Sequence, residues 1–259
     1  MPIEYRDVQV NGIRVEIYGS ASERPPLLFV HGGCHGSWSW QKMAPWLAER
    51  GWLAVCLNWL GHHGSRDLPR TEALSRSILD VTTEIGQVAE SLDDLPVVIG
   101  HSMGGLASLA YAYVHPVAGL ALLAPVVPAG FGTQPIDLPV DPATLWTPPE
   151  EMVDAAWWGD VSPDEAQRYR SLLCAESPRA VLEATRWLCE VDTRPLRVPA
   201  LVFAAELDLL VPAQAVLSLG KDIDADCITL ANTGHGIPLN PVWNDAAVAI
   251  DEWLVANRQ

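Results

Sequence analysis

Positive charge is scarce in this sequence. Lys and Arg together number 16 against 32 Asp and Glu, a formal net charge of −16. Phosphate backbones are held by clustered Lys and Arg, and no such cluster occurs, so nucleic acid is not an expected partner. Cysteine is sparse as well. Cys34, Cys56, Cys174, Cys189 and Cys227 are odd in number, far apart and never in a CxxC pair. That pattern argues against a disulfide framework and suits free thiols in a reducing, cytoplasmic setting. With no HExxH and no Cys/His quartet, no metal is expected, and no cofactor is implied. Long apolar runs are missing too. The most apolar stretch, Val117 to Phe131, is too short to span a bilayer and is broken by Pro125 and Pro128. The N-terminal MPIEYRDVQV lacks the apolar core of a signal peptide, so no membrane partner is expected. Oligomeric state leaves no trace in the sequence. Phenylalanine occurs only three times, against 11 tryptophans.

What is present is core-forming material. Hydrophobic residues are 49% and charged residues 19% of 259, enough for one large α/β domain. The chain opens with two alternating runs around Asn11-Gly12, a strong hairpin signal. Short apolar runs follow at 26–31, 52–58, 95–101, 117–124, 199–205 and 227–231. Helix-like segments lie between and after them, at 38–50, 71–91, 103–115, 179–190, 212–220 and 241–256. Continuous apolar strands alternating with helices predict a mostly parallel twisted sheet of about eight strands, covered by helices on both faces. One segment breaks the rhythm. Residues 129–178 are first Pro-rich and irregular, then helical, and they follow the sixth strand. An insertion there would lie over the strand ends, where open α/β sheets bind ligands. The expected division is a core of residues 1–128 and 179–259 with a helical cap at 129–178.

The stretch HGGCHGSWSW, residues 31–40, offers His31, Cys34, His35 and Ser37 as candidates for chemistry. The more specific motif is GHSMG, residues 100–104, a G-x-S-x-G between an apolar strand and a helix-like run. Ser102 must sit on a sharp turn with its hydroxyl above the sheet. Gly100 and Gly104 leave room for close backbone approach. The helix start beside Ser102 offers N–H groups and a positive dipole end to a developing oxyanion. His101, next to it on the turn, reads as structural.

A serine needs a base, and the base an orienting acid. The order on such a sheet is Ser, Asp or Glu, His. The strand PALVFAA ends in Glu206-Leu207-Asp208; Asp208 is the first choice and Glu206 the second. His235 follows the last strand, between Gly234 and Gly236, in a loop able to reach the serine. His62 and His63, in LGHHGS, either line the pocket or shape a turn.

Together HGG at 31–33, GHSMGG at 100–105, ELDLLVP at 206–212 and GHGIP at 234–238 resemble the α/β-hydrolase superfamily over the whole chain except the cap. The resemblance implies Ser102 as nucleophile, Asp208 as acid and His235 as base. It also implies an oxyanion hole from the backbone N–H groups of Gly33 and Met103. HGGCHGSWSW is similar to the HGxCHGxWxW loop of plant methylesterases and hydroxynitrile lyases. Two departures limit that likeness. Gly236 follows the candidate base where the lyases carry a lysine, and neither LGHHGS nor the Pro-rich entry to the cap matches that branch.

The expected activity is hydrolysis of a small apolar or aromatic ester through an acyl-enzyme. Lactone, thioester or C–C bond hydrolysis would use the same triad, and a non-catalytic small-ligand receptor could share the fold. Trp146, Trp157, Trp158 and Trp187 cluster mid-chain. With Cys34 and His35 of the oxyanion loop, Trp146, Trp157 and Trp158 are the expected substrate contacts; the competing roles are packing of the cap helices for the tryptophans and bracing of the loop for Cys34 and His35.

Overall fold

A computed structural model of the chain describes residues 3–132, 134–158 and 161–257. The Asn11-Gly12 signal gives a hairpin: β1 (Tyr5–Val10) pairs antiparallel with β2 (Ile13–Tyr18), and Asn11 and Gly12 take φ of 52° and 85°. Two successive positive φ angles are what a type I′ turn demands. The six apolar runs form β3 (Leu27–Val30), β4 (Ala54–Leu57), β5 (Val97–His101), β6 (Gly119–Leu123), β7 (Ala200–Ala205) and β8 (Asp226–Leu230). The sheet order is β1-β2-β4-β3-β5-β6-β7-β8, antiparallel in β1, β2 and β4 and parallel from β4 onward.

Successive side chains of a strand face opposite sides of a sheet, and in β3 to β7 both sides are buried. Leu28, Val30, Val98 and Val202 face one core. Leu27, Phe29, Val97, Ile99 and Phe203 face the other. The first core is closed by α3 (Val81–Ala89), α4 (Ser102–Val114) and α8 (Ala213–Asp222); the second by α1 (Met43–Ala48) and α9 (Trp243–Ala256). Between β6 and β7 run α5 (Glu150–Val153), a π-helical turn (Asp154–Trp158), α6 (Pro163–Ser171) and α7 (Pro178–Arg186).

Two expected helices are interrupted. The segment 71–91 divides into α2 (Arg70–Ser75), a 3-10 turn (Ile78–Asp80) and α3. Arg76 is extended (ψ 127°), and Ser77 and Asp80 cap each other's backbone. Arg76 turns inward to pair with the buried Glu84, and Glu183 of α7 accepts the Ser77 hydroxyl and the Ile78 N–H. A straight helix would strand those buried charges. The segment 38–50 likewise divides into a 3-10 turn (Ser37–Trp40) and α1.

The turn into α4 depends on Gly104. A Cβ there would lie 2.1 Å from the His31 carbonyl oxygen and 2.6 Å from that of Val30. Both obstacles are backbone of β3 and its exit, which cannot rotate away. Gly104→Ala is therefore expected to lower unfolding stability by about 4 kcal/mol or more, or to abolish folding. Gly86 is the control: inside α3, its nearest neighbour to a Cβ is Tyr111 at 3.5 Å. Gly86→Ala should gain about 0.5–1 kcal/mol from helix propensity. Urea denaturation of both variants checks the contrast.

Candidate active site

The strand-to-helix turn places Ser102 in the left-handed region, φ 54°. A non-glycine residue held there stores strain, a feature that concentrates at functional sites. The turn is tight because Gly100 has no Cβ; one would sit 2.5 Å from the Ser108 hydroxyl and 2.6 Å from the Gly104 carbonyl. Ser102 lies 2.8 Å from His235 Nε2. His235 Nδ1 lies 2.7 Å from Asp208 Oδ2. The Asp208 side chain is fully buried, and its other oxygen accepts the N–H groups of Leu210 (2.8 Å) and Val211 (2.9 Å). Glu206 points elsewhere, accepting the Asn232 N–H at 2.8 Å.

The His235 loop is fixed on two sides. His101 Nε2 donates to the His235 carbonyl at 2.9 Å, and the His235 N–H donates to the carbonyl of Ala156, between β6 and β7, at 3.2 Å. His101 thus braces the loop without facing the serine, and burial holds its ring neutral. Gly236 admits no side chain at all: a Cβ would fall 2.0 Å from the Trp157 carbonyl oxygen.

The loop HGGCHGSWSW brings its backbone close to the serine turn. Gly32 packs against the serine, a Cβ there being 3.0 Å from that of Ser102; at Gly33 it would be 2.5 Å from Met103 Sδ. Met103 lies in the first turn of α4, where helical N–H groups lack acceptors within the helix. The loop's side chains are otherwise engaged. His31 is kept neutral by burial; its Nδ1 donates to the Gly32 carbonyl, and its Nε2 accepts the Trp59 N–H. Burial pushes His35 down to about 4, and its Nδ1 donates to the Gly33 carbonyl at 2.7 Å. The Cys34 thiol is pushed up by burial and so is not a thiolate. Ser37 bonds Glu16.

Above Ser102 is a small cavity of about 60 Å³. Ser102, His235, Gly33, Met103, Cys34, Trp146 and Trp157 all line it. His35 does not: its ring stacks on Trp38 and tilts against Trp157, bracing the wall from behind. The Trp158 side chain lies outside the described residues. Trp187 ends α7 in a left-handed turn and packs over Gly132. His62 and His63 are also off the wall; His62 pairs with Glu176, and His63 accepts the Trp38 indole N–H. The rest of the wall includes Ile136, Leu138 and Met152 with Val181, Ala184 and Thr185 of α7, none of which carries a motif. A larger open hollow of about 800 Å³, with Arg24 and Arg197, lies at the N-terminal strand ends, opposite Ser102.

A parallel sheet with a strained serine at a strand-to-helix turn, hydrogen-bonded through histidine to a buried aspartate, defines a class of proteins. Over residues 27–249 the chain matches the alpha/beta hydrolase family, and it belongs to that family. Salicylic acid-binding protein 2 of Nicotiana tabacum is 40% identical over 65 residues, 25% of this chain and 24% of that one. Methylesterase 9 of Arabidopsis thaliana is 33% identical over 79 residues, 27% of this chain and 31% of that one. The alignments thus reach about a quarter to a third of each plant protein's length. A thermophilic esterase from Thermogutta terrifontis superposes with a TM-score of 0.75 at 19% identity, over 99% of this chain and 100% of that one. Among the described residues, no helix is long and apolar enough to cross a membrane.

Proposed function

We propose that the chain is a serine esterase acting on small, uncharged carboxylic esters, with Ser102 as nucleophile, His235 as general base and Asp208 as the orienting acid. The observation that carries this reading is the unbroken line Ser102–His235–Asp208, at 2.8 and 2.7 Å, on the floor of an apolar cavity. His235 Nε2 takes the hydroxyl proton as Oγ attacks the ester carbonyl. The alkoxide oxygen is stabilised by the N–H groups of Gly33 and Met103, each worth about 3 kcal/mol by the usual effect of one such donor. The histidine returns its proton to the departing alcohol. Water, deprotonated by the same histidine, then cleaves the acyl-enzyme and releases the acid.

The cavity argues for the substrate class. None of its described lining residues is Lys, Arg, Asp or Glu, so a charged group would be desolvated without a partner. Its 60 Å³ is several times the roughly 10–15 Å³ that one water needs, which suits a short acyl chain. Residues 129–178 act as the cap, with Trp146 and Trp157 as apolar walls. Gly236 supports hydrolysis over cyanohydrin cleavage, since the lysine of the lyases has no room beside the Trp157 carbonyl.

A panel of p-nitrophenyl esters of increasing chain length, with lactones, thioesters and a p-nitrophenyl hemisuccinate, tests the reading. Turnover should be fastest for short, neutral oxygen esters and at least about tenfold slower for the charged hemisuccinate, a modest fraction of the cost of burying an unpaired charge. Failure of every ester to exceed a Ser102→Ala blank would overturn the assignment.

A further inference from the structure

Glu176 is a carboxylate 1% exposed, in the inserted segment just before α7, and the triad makes no use of it. Its surroundings are specific. One oxygen, Oε2, accepts the Cys34 N–H at 3.0 Å and lies 3.2 Å from His62 Nε2. The other accepts the Ser177 N–H at 2.8 Å. Its backbone exchanges two 2.8 Å hydrogen bonds with Trp146, a wall of the cavity. The residue therefore joins the cavity wall, the loop after β4 and the loop after β3.

The contact with Cys34 matters because of the conformation found there. Cys34 is left-handed, φ 63°, a state that a non-glycine residue keeps only when its surroundings impose it. Residues 174–176 do so from both sides. Glu176 takes the Cys34 N–H, and the Cys174 N–H donates to the Cys34 carbonyl at 3.0 Å. The Cys34 N–H held by Glu176 belongs to the peptide that follows Gly33, and the Cys34 carbonyl held by Cys174 to the next one. A lone carboxylate so near an oxyanion donor would oppose the charge that forms on the substrate, and the His62 imidazolium offsets it. Burial alone would lower His62, yet the Glu176 charge holds it well above the usual histidine value. Burial alone would likewise raise Glu176, and His62 holds it down.

We propose that Glu176, paired with His62, is the positioning residue for the oxyanion loop, holding the Gly33–Cys34 peptide so that the Gly33 N–H faces the transition state. The inference rests on the esterase reading above. The sequence around it, CAESPR, carries no motif that would announce the role.

Glu176→Gln tests it. An amide has one acceptor oxygen and one donor nitrogen, whereas this site presents donors to both oxygens; even with its oxygen kept toward Cys34 and His62, its nitrogen faces the Ser177 N–H and the charge that holds the Cys34 N–H is gone. The probe is a short-chain alkyl trifluoromethyl ketone, which adds Ser102 and places its oxyanion in the hole; the methyl ketone of the same skeleton reports ground-state binding alone. The variant should bind the trifluoromethyl ketone about 30-fold more weakly and lose kcat in proportion, short of the 10²- to 10³-fold that removal of a donor costs. KM and methyl ketone affinity should stay within about twofold, because those ligands carry no developing oxyanion. Equal weakening of both ketones would overturn the proposal, and so would unchanged binding of both. If Glu176→Gln does not fold, Glu176→Asp keeps a carboxylate in the segment but draws the oxygen shared by Cys34 and His62 back from both, and the same selective loss is required. A wild-type protein that neither hydrolyses esters nor adds the trifluoromethyl ketone would instead sink the esterase reading itself.

Discussion

Ser102→Ala is expected to lower turnover of a short p-nitrophenyl ester by about 10⁴- to 10⁶-fold while leaving the protein folded. The range follows from what remains. His235 and Asp208 are still in place, and the cavity and loop still bind and polarise the ester, but no Oγ stands 2.8 Å from His235 Nε2 to attack it. Water must then do the first step unaided. The fold should tolerate the change because alanine loses only the hydroxyl, whose partner is His235, and keeps the φ of 54° that serine already adopts. Reaction with a fluorophosphonate followed by intact-mass measurement is the sharper readout. The wild type should gain one adduct and the variant none. Undiminished labelling of Ser102→Ala would mean another residue is the nucleophile.

The residues of that line were legible in the sequence because each has a local reason to be where it is. Gly100 and Gly104 permit a turn that any other residue would block, and G-x-S-x-G is the written form of that constraint. Asp208 and His235 follow strands β7 and β8, so their chain order alone carries them to the same end of the sheet as Ser102. The hairpin was legible for the same reason, since Asn11-Gly12 answers directly to two positive φ angles. The break at Arg76–Ser77 left a weaker trace. Ser77 and Asp80 form a capping box visible as S-I-L-D, but the apolar period on either side reads as one helix. What decides the break is the buried pairing of Arg76 with Glu84, a contact set by tertiary packing.

The cavity wall was much less legible. Ile136 and Leu138 lie in a Pro-rich stretch with no period, so nothing in the sequence says which way they face. Val181, Ala184 and Thr185 belong to α7, placed by sequence in the core division, yet they share the cavity with Trp146 and Trp157. His35 is a case the sequence left open between two roles. Two residues past Gly33, it reads as a substrate contact or a loop brace, and its ring is taken up by Trp38, Trp157 and the Gly33 carbonyl. Glu176 has no sequence signature either, because its partners at Cys34 and His62 are 142 and 114 residues away. Motifs record constraints along the chain. Walls and braces are made between distant segments.

Asp208→Asn should cost nearly as much activity as loss of the serine, about 10⁴-fold in kcat. The size of the effect comes from how the carboxylate is held. Leu210 and Val211 both donate to Oδ1, at 2.8 and 2.9 Å. An asparagine satisfies them only by placing its carbonyl oxygen at that position. Its amide nitrogen then occupies the Oδ2 position, 2.7 Å from His235 Nδ1, and donates to it. Nδ1 becomes the acceptor, the ring proton moves to Nε2, and the nitrogen facing Ser102 can no longer take a proton. The reverse orientation would set an N–H₂ group against two backbone N–H donors in a buried site, which costs about 1–3 kcal/mol per unsatisfied group. Substrate binding should be almost untouched, because Asp208 lies behind His235 and outside the cavity wall; KM is expected to stay within about twofold. Steady-state kinetics on the same ester, with thermal unfolding to show that the fold survives, checks the result. A kcat within tenfold of wild type would mean that Asp208 does not set the His235 tautomer.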